Sequence, residues 1–301
     1  MKAPAWTFFL FAVSVFVYQT LDAMDGKQAR RLNMSTPLGE LFDHGCDALT
    51  TVIYLMGYCV ALRLGIHADI AFFMFMLAVF CYYLAHWQTY CTGSLLVGAF
   101  DVTEVQIVFI GILVITGLCS QEFWSMQISL FNGMSLRVLS PIMSTLACIT
   151  SITNNFNTIF ILGGCGKNGS TVAGTSVLSP AKAITTSIFI SLLIYKKSPD
   201  NIFEAYTSFF FIVFGFFFAK ITTVLIVGHM CKTDLHVTDT AFASPLLLFM
   251  NQYFNCPIPE FYVLVLSGII SFSDWLMYVV KVIIQISTYL DVPILTVRHQ
   301  Q

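Results

Sequence analysis

The sequence predicts an all-α, polytopic bundle of membrane-spanning helices, about nine of them, in one domain over residues 1–301. Three observations carry this. Of its residues 57% are hydrophobic and only 10% charged, against roughly 25% charged in an average soluble domain. Mean hydropathy is +0.81. Several apolar runs approach or exceed the ~20 residues that a helix, rising about 1.5 Å per residue, needs to cross a ~30 Å hydrocarbon core. A net charge of −2, with no lysine-arginine stripe, excludes a nucleic-acid binder. The nine cysteines are spread singly without a CxxC pair, so they read as small core residues and not as disulfides or a zinc site.

Apolar runs broken by polar punctuation place spans near 4–24, 46–64, 69–86, 104–119, 136–162, 178–195, 205–228, 240–254 and 260–288. The first has a single lysine before it and lacks a small-x-small cleavage site, so it reads as a retained helix and not a signal peptide. No repeat, low-complexity tract or long linker divides the chain. Polar residues gather at Asp22–Asp47, His86–Glu104, Gly163–Ser176 and Lys232–Asp239. Function is sought there, because an ionisable group near a membrane is costly. Arg30 and Arg31 put the first cluster on the cytoplasmic side by the positive-inside rule. Alternating spans then carry Lys196 and Lys197 to the far side, where that rule does not favour them.

The densest cluster reads LDAMDGKQARRLNMSTPLGELFDHGCDALTT. Asp22, Asp25 and Ala29 fall at i, i+3 and i+7, and Gly39, Asp43 and Asp47 at i, i+4 and i+8; each set shares one helical face. Ser35-Thr36-Pro37, with Glu40 following, predicts a helix restart: a polar cap, then proline in the first turn. Two helices joined by a short basic turn thus each present two carboxylates. Such pairs repel unless a cation lies between them. A pair of divalent ions does this, and Mg²⁺, Mn²⁺ or Ca²⁺ suits carboxylate oxygens, with Mg²⁺ commonly completed by substrate phosphate. Gly26, Ala29 and Gly39 leave room for a bulky ligand, and Arg30 offers a fork for phosphate oxygens. The plainer alternative is that the acids solvate a loop or pair with Lys27, Arg30 and Arg31.

These residues resemble the CDP-alcohol phosphotransferase family, whose signature D-x2-D-G-x2-A-R-x8-G-x3-D-x3-D is met at all its fixed positions: Asp22, Asp25, Gly26, Ala29, Arg30, Gly39, Asp43 and Asp47. The text around it, including YQTLDAMDGKQARR, AHWQTY, DVTEVQI, GKNGSTVAGTSVLSP and KITTVLIVGHM, is similar to the animal choline and choline/ethanolamine branch from about residue 4 to 290. Those members carry a further N-terminal amphipathic segment and a tenth helix, which this chain is expected to lack. They also carry DQYF where Asn251 begins NQYF.

The resemblance implies an enzyme that transfers phosphocholine and/or phosphoethanolamine from the CDP-alcohol to diacylglycerol. The products are phosphatidylcholine or phosphatidylethanolamine and CMP, the last step of the Kennedy pathway. It implies a two-metal Mg²⁺ or Mn²⁺ site on Asp22, Asp25, Asp43 and Asp47, with Asp47 also a candidate general base and His44 its competitor. Gly26, Ala29, Arg30 and Gly39 would contact the CDP-alcohol. A homodimer in the endoplasmic reticulum and/or Golgi membrane, its active site facing the cytoplasm, is the implied assembly.

A second cluster, Tyr83, His86, Trp87 and Tyr90, falls at i, i+3, i+4 and i+7. It is a candidate cation–π surface for the amino-alcohol, or an ordinary interfacial aromatic belt. Glu104 and Asp101 are candidates for the amino-alcohol or the proton path, or for a helix cap. Gly163–Ser170 is not a phosphate loop: Lys167 is followed by Asn168, and no strand precedes it. The rival readings are a transporter or channel, which predicts acids spread over several helices, and a transferase for another alcohol such as inositol or glycerophosphate.

Overall fold

A computed structural model describes residues 3–96, 102–129, 133–235 and 239–294. Ten helices follow one another: α1 (Ala5–Arg31), α2 (Pro37–Ala61), α3 (Ala68–Thr92), α4 (Val102–Cys119), α5 (Leu136–Asn157, continued by a π turn Thr158–Leu162), α6 (Ala181–Lys197), α7 (Ile202–Ala205), α8 (Thr207–Cys231), α9 (Ala243–Tyr253) and α10 (Glu260–Leu290). Among the described residues the exception to the all-α pattern is a two-stranded antiparallel pairing of Gln127 with Ser135 and Ile128 with Met134.

Each of the nine predicted segments is helical. Five elements are long and apolar enough to cross a membrane: α1, α3, α5 with its π turn, α8 and α10. The remainder are polar at one end or short; α9 has 11 residues, about 16 Å of helix, and so does not reach across a bilayer unaided. The outward faces suit lipid. Leu10, Val13, Phe16 and Leu21 of α1 and Ile269 and Met277 of α10 are all exposed, which water would not tolerate as a continuous band. The chain is an integral membrane protein.

At the centre stands α8. Phe210, Phe211, Phe214, Phe217 and Phe218 are buried, with Phe75 of α3 stacked on Phe211 at 4.7 Å. α8 also packs on α2 and α10, while α1 lies against α4. Lipid is as apolar as these side chains, so close van der Waals fit must hold the helices. Gly57 shows how α1 reaches α2: a Cβ there would lie 1.9 Å from the Phe11 ring. Gly57→Ala is expected to destabilise the fold by about 1–3 kcal/mol, and Phe11→Ala in the same chain to recover most of that loss. The thermal unfolding midpoint in detergent checks this, and an undiminished loss in the double variant would contradict the contact.

The two ends of the bundle differ. Tyr82 Oη donates to the backbone carbonyl of His44, so the acidic end of α2 lies beside the second half of α3. Lys196 pairs with Asp69 at 3.0 Å, at the first turn of α3, some 20 Å along that helix from Tyr82. Lys196 and Lys197 therefore sit at the opposite end from Arg30 and Arg31, as the alternation of spans predicts. The Lys196 charge is engaged there by Asp69 and by the Tyr195 ring, 4.8 Å away.

Candidate functional site

The restart between α1 and α2 has the predicted construction. Thr36 is the N-cap of α2, its Oγ1 accepting from the Gly39 amide at 3.1 Å, with Pro37 at the first position and Glu40 in the first turn. Asn33 adopts a left-handed φ of 53°, reversing the chain in the few residues between Arg31 and Pro37. The end of α1 and the start of α2 are thereby brought side by side.

Their carboxylates meet. Asp22 and Asp43 lie close enough for each to feel the other across the helix pair. Donor atoms of Asp43, His44 and Asp47 all lie within 4.8 Å of each other. Asp25 is exposed on the outer side of the group, close enough for its charge to be felt by Asp22, Asp43 and Asp47. The tightest grouping thus contains His44, which the sequence offers only as a base, while Asp25 stands at its rim. Among the described residues none of the four acids forms an ion pair with Lys27, Arg30 or Arg31. The pairing half of the plainer reading, acids neutralised by the basic turn, is thus not seen among the described residues.

Gly26 lies beneath Arg30, whose guanidinium nitrogens would be 3.7 and 3.8 Å from an added Cβ. Ala29 is half-buried and its carbonyl accepts from the Met34 amide at 2.8 Å, closing the turn. Arg30 is exposed at the mouth. Oxygen-rich, half-buried and without a counter-cation, this donor set fits a hard divalent ion, with the His44 nitrogen as an additional donor.

Two tyrosines complete the site and were not singled out by sequence reasoning. Tyr18 Oη donates to Asp47 Oδ1 at 2.8 Å, and Tyr82 holds the His44 backbone. Tyr18 lies four residues before Asp22, on the face that carries the α1 acids, and that spacing could have revealed it. Tyr18→Phe is expected to lower kcat/KM by about ten- to a hundredfold, one hydrogen bond to a charged group. Its folding should be intact. Unchanged kinetics would mean that Asp47 needs no such anchor.

The aromatic cluster of α3 is not an open cage. Trp87 is 4% and Tyr90 0% exposed. Trp87 Nε1 donates to the Val177 carbonyl at 2.7 Å, Tyr90 Oη to Thr233 at 2.9 Å, and Tyr83 Oη to Pro180 at 2.9 Å. In a dry interior an indole or phenol proton usually finds an acceptor, and here the loops after α5 and α8 supply it. Trp87 and Tyr90 therefore anchor loops through their polar atoms. The loop from Gly163 is likewise tied down, Cys165 N donating to the Cys91 carbonyl at 2.9 Å. His86 of the cluster meets the ring of His44, edge-on at 4.9 Å. Glu104 lies in the first turn of α4, whose Thr103 carbonyl accepts from Gln19 of α1 at 3.5 Å. It is at the same end of the bundle as the acids. Asp101 lies outside the described residues.

Comparison with known proteins accords with this geometry. The sequence model of the CDP-alcohol phosphatidyltransferase family matches residues 3–227. The chain is 44% identical to cholinephosphotransferase 1 of Xenopus laevis, over 99% of this chain and 74% of that protein. It is 42% identical to the Rattus norvegicus protein of that name, over 100% and 75%, and 43% identical to the Homo sapiens one, over 99% and 73%. With the signature complete and its acids gathered at one junction of α1 and α2, the chain belongs to the CDP-alcohol phosphatidyltransferase family.

Proposed function

We propose that this protein transfers phosphocholine from CDP-choline to the hydroxyl of diacylglycerol, giving phosphatidylcholine and CMP, with CDP-ethanolamine the alternative donor. The observation that carries the reading is the convergence of Asp22, Asp43 and Asp47, with Asp25 at the rim, across two helices. The resemblance to cholinephosphotransferases favours choline as the head group. Arg30 and Arg31 beside the site favour a cytoplasmic opening, in an endoplasmic reticulum or Golgi membrane.

Asp22, Asp25, Asp43 and Asp47 would hold Mg²⁺ or Mn²⁺, which when bound supplies positive charge against the diphosphate and the departing CMP. The chain's own residues do the rest. Arg30 forks onto phosphate oxygens at the mouth, and Gly26, Ala29 and Gly39 keep side chains out of the donor's way. The acceptor oxygen forms a bond to the phosphorus bearing the amino-alcohol, the bond from that phosphorus to the CMP oxygen breaks, and the hydroxyl proton passes to a base of the protein. Asp47 Oδ1 already accepts from Tyr18, leaving Oδ2, and a carboxylate engaged with a cation accepts a proton poorly. His44, braced by His86, and Glu104 at the start of α4 are the competing acceptors.

The test supplies labelled CDP-choline or CDP-ethanolamine with diacylglycerol and Mg²⁺ or Mn²⁺ to the full chain in detergent. Labelled phospholipid with equimolar CMP is the expected result. Solute flux across vesicles without CMP release would replace the enzyme by a transporter.

A further inference from the structure

A second charged cluster lies in the bundle interior, away from the signature. Lys220 sits in α8, the most apolar of the candidate spans at hydropathy 2.4, and is 3% exposed. A lysine at such a place is costly unless every donor is met. The ammonium donates to Asp274 Oδ2 at 2.7 Å and to Thr240 Oγ1 at 3.2 Å, and pairs with the Asp239 carboxylate, Oδ1 at 3.2 Å. The Tyr278 ring lies 4.8 Å away. Thr240 Oγ1 donates in turn to Asp274 Oδ1 at 2.6 Å, and Asp239 Oδ1 accepts from the Ala241 amide at 2.8 Å. One lysine thus ties three stretches of chain together: α8, the single turn Thr240–Phe242, and the middle of α10. Asp239 and Asp274 both lie beyond the residues that the family model matches.

The cluster is connected to the acids of the site. One and two helical turns beyond Asp274, Tyr278 and Val282 pack with Ile226 of α8 around Leu41 of α2, itself 2% exposed. Asp43 is two residues on from Leu41, about 200° round the helix. The face of α2 that α10 covers is therefore roughly opposite the face that presents Asp43 and Asp47 to α1. Seating α10 sets the rotation of α2, and that rotation sets where the carboxylates point.

We propose that Lys220, with Asp239 and Asp274, is a positioning latch for the carboxylate site, holding α10 behind Leu41 so that Asp43 and Asp47 face Asp22. The proposal rests on the divalent-cation reading above, and its test measures cation binding without turnover. The full chain in detergent is titrated with Mn²⁺, and the concentration giving half of the thermal stabilisation is read for wild type, Lys220→Met, Lys220→Arg and Val282→Ala. Lys220→Met is expected to raise that concentration about tenfold or more, Val282→Ala about threefold, and Lys220→Arg to stay near wild type. A merely structural loss would lower yield and melting temperature and leave the cation dependence of the folded fraction as it was. Folded Lys220→Met with wild-type cation dependence overturns the latch. If Lys220→Met does not fold, Val282→Ala decides: an unchanged Mn²⁺ requirement sinks the proposal. A wild-type protein that Mn²⁺ and Mg²⁺ both fail to stabilise removes the cation reading itself, a distinguishable result.

Discussion

Replacing Asp43 by alanine is expected to abolish turnover, lowering kcat/KM by about 10³-fold or more, roughly 4 kcal/mol of transition-state stabilisation. Asp43 has the most connected place among the acids: its charge is felt by Asp22 across the helix pair, and it shares a grouping with His44 and Asp47 on its own helix. Without it the two helices no longer offer a continuous set of oxygens. The fold should survive, because Asp43 is half-buried at a helix start and the α2 cap, Thr36 onto Gly39, is untouched. Membrane insertion and monodispersity in detergent check the second half of this prediction. Normal activity in the variant would remove the metal argument altogether.

Chelation is the other large effect. With excess EDTA, activity is expected to fall about 10²-fold or more, and Mg²⁺ or Mn²⁺ to restore it. The reason lies in charge balance: among the described residues no ion pair offsets the four acids, and in a partly desolvated place their mutual repulsion has to be met by a cation. The same ion should stabilise the folded protein by about 2.7 kcal/mol at a concentration a hundred times its dissociation constant. A rise in the unfolding midpoint with added Mn²⁺ should accompany recovery of activity. Activity that persists after chelation, with an unaltered midpoint, would show the acids to be doing something else.

The comparison of sequence with structure divides along a physical line. Within one helix, 3.6 residues per turn converts spacing into position, so the shared face of Asp22 and Asp25, that of Asp43 and Asp47, and the restart at Thr36-Pro37 were all legible from spacing alone. Tyr18 obeys the same arithmetic and was legible in principle. The aromatic face of α3 was legible as a face but its partners were not, because periodicity does not say what lies opposite. The Pro180, Val177 and Thr233 carbonyls that Tyr83, Trp87 and Tyr90 bond come from loops 90 to 143 residues downstream and could not be seen from α3.

What the sequence determined by itself is the solvent, the helices, the signature and the face each acid occupies, since these follow from composition and from the fixed geometry of a helix. Tertiary structure alone decided that His44 joins the acids, that Tyr18 holds Asp47, and that Lys220 meets two aspartates from segments 19 and 54 positions further along the chain. In a bilayer every helix is apolar on most sides, so burial gives no cue to which faces meet. Pairing is settled by close fit and by the need of each interior polar group for a partner.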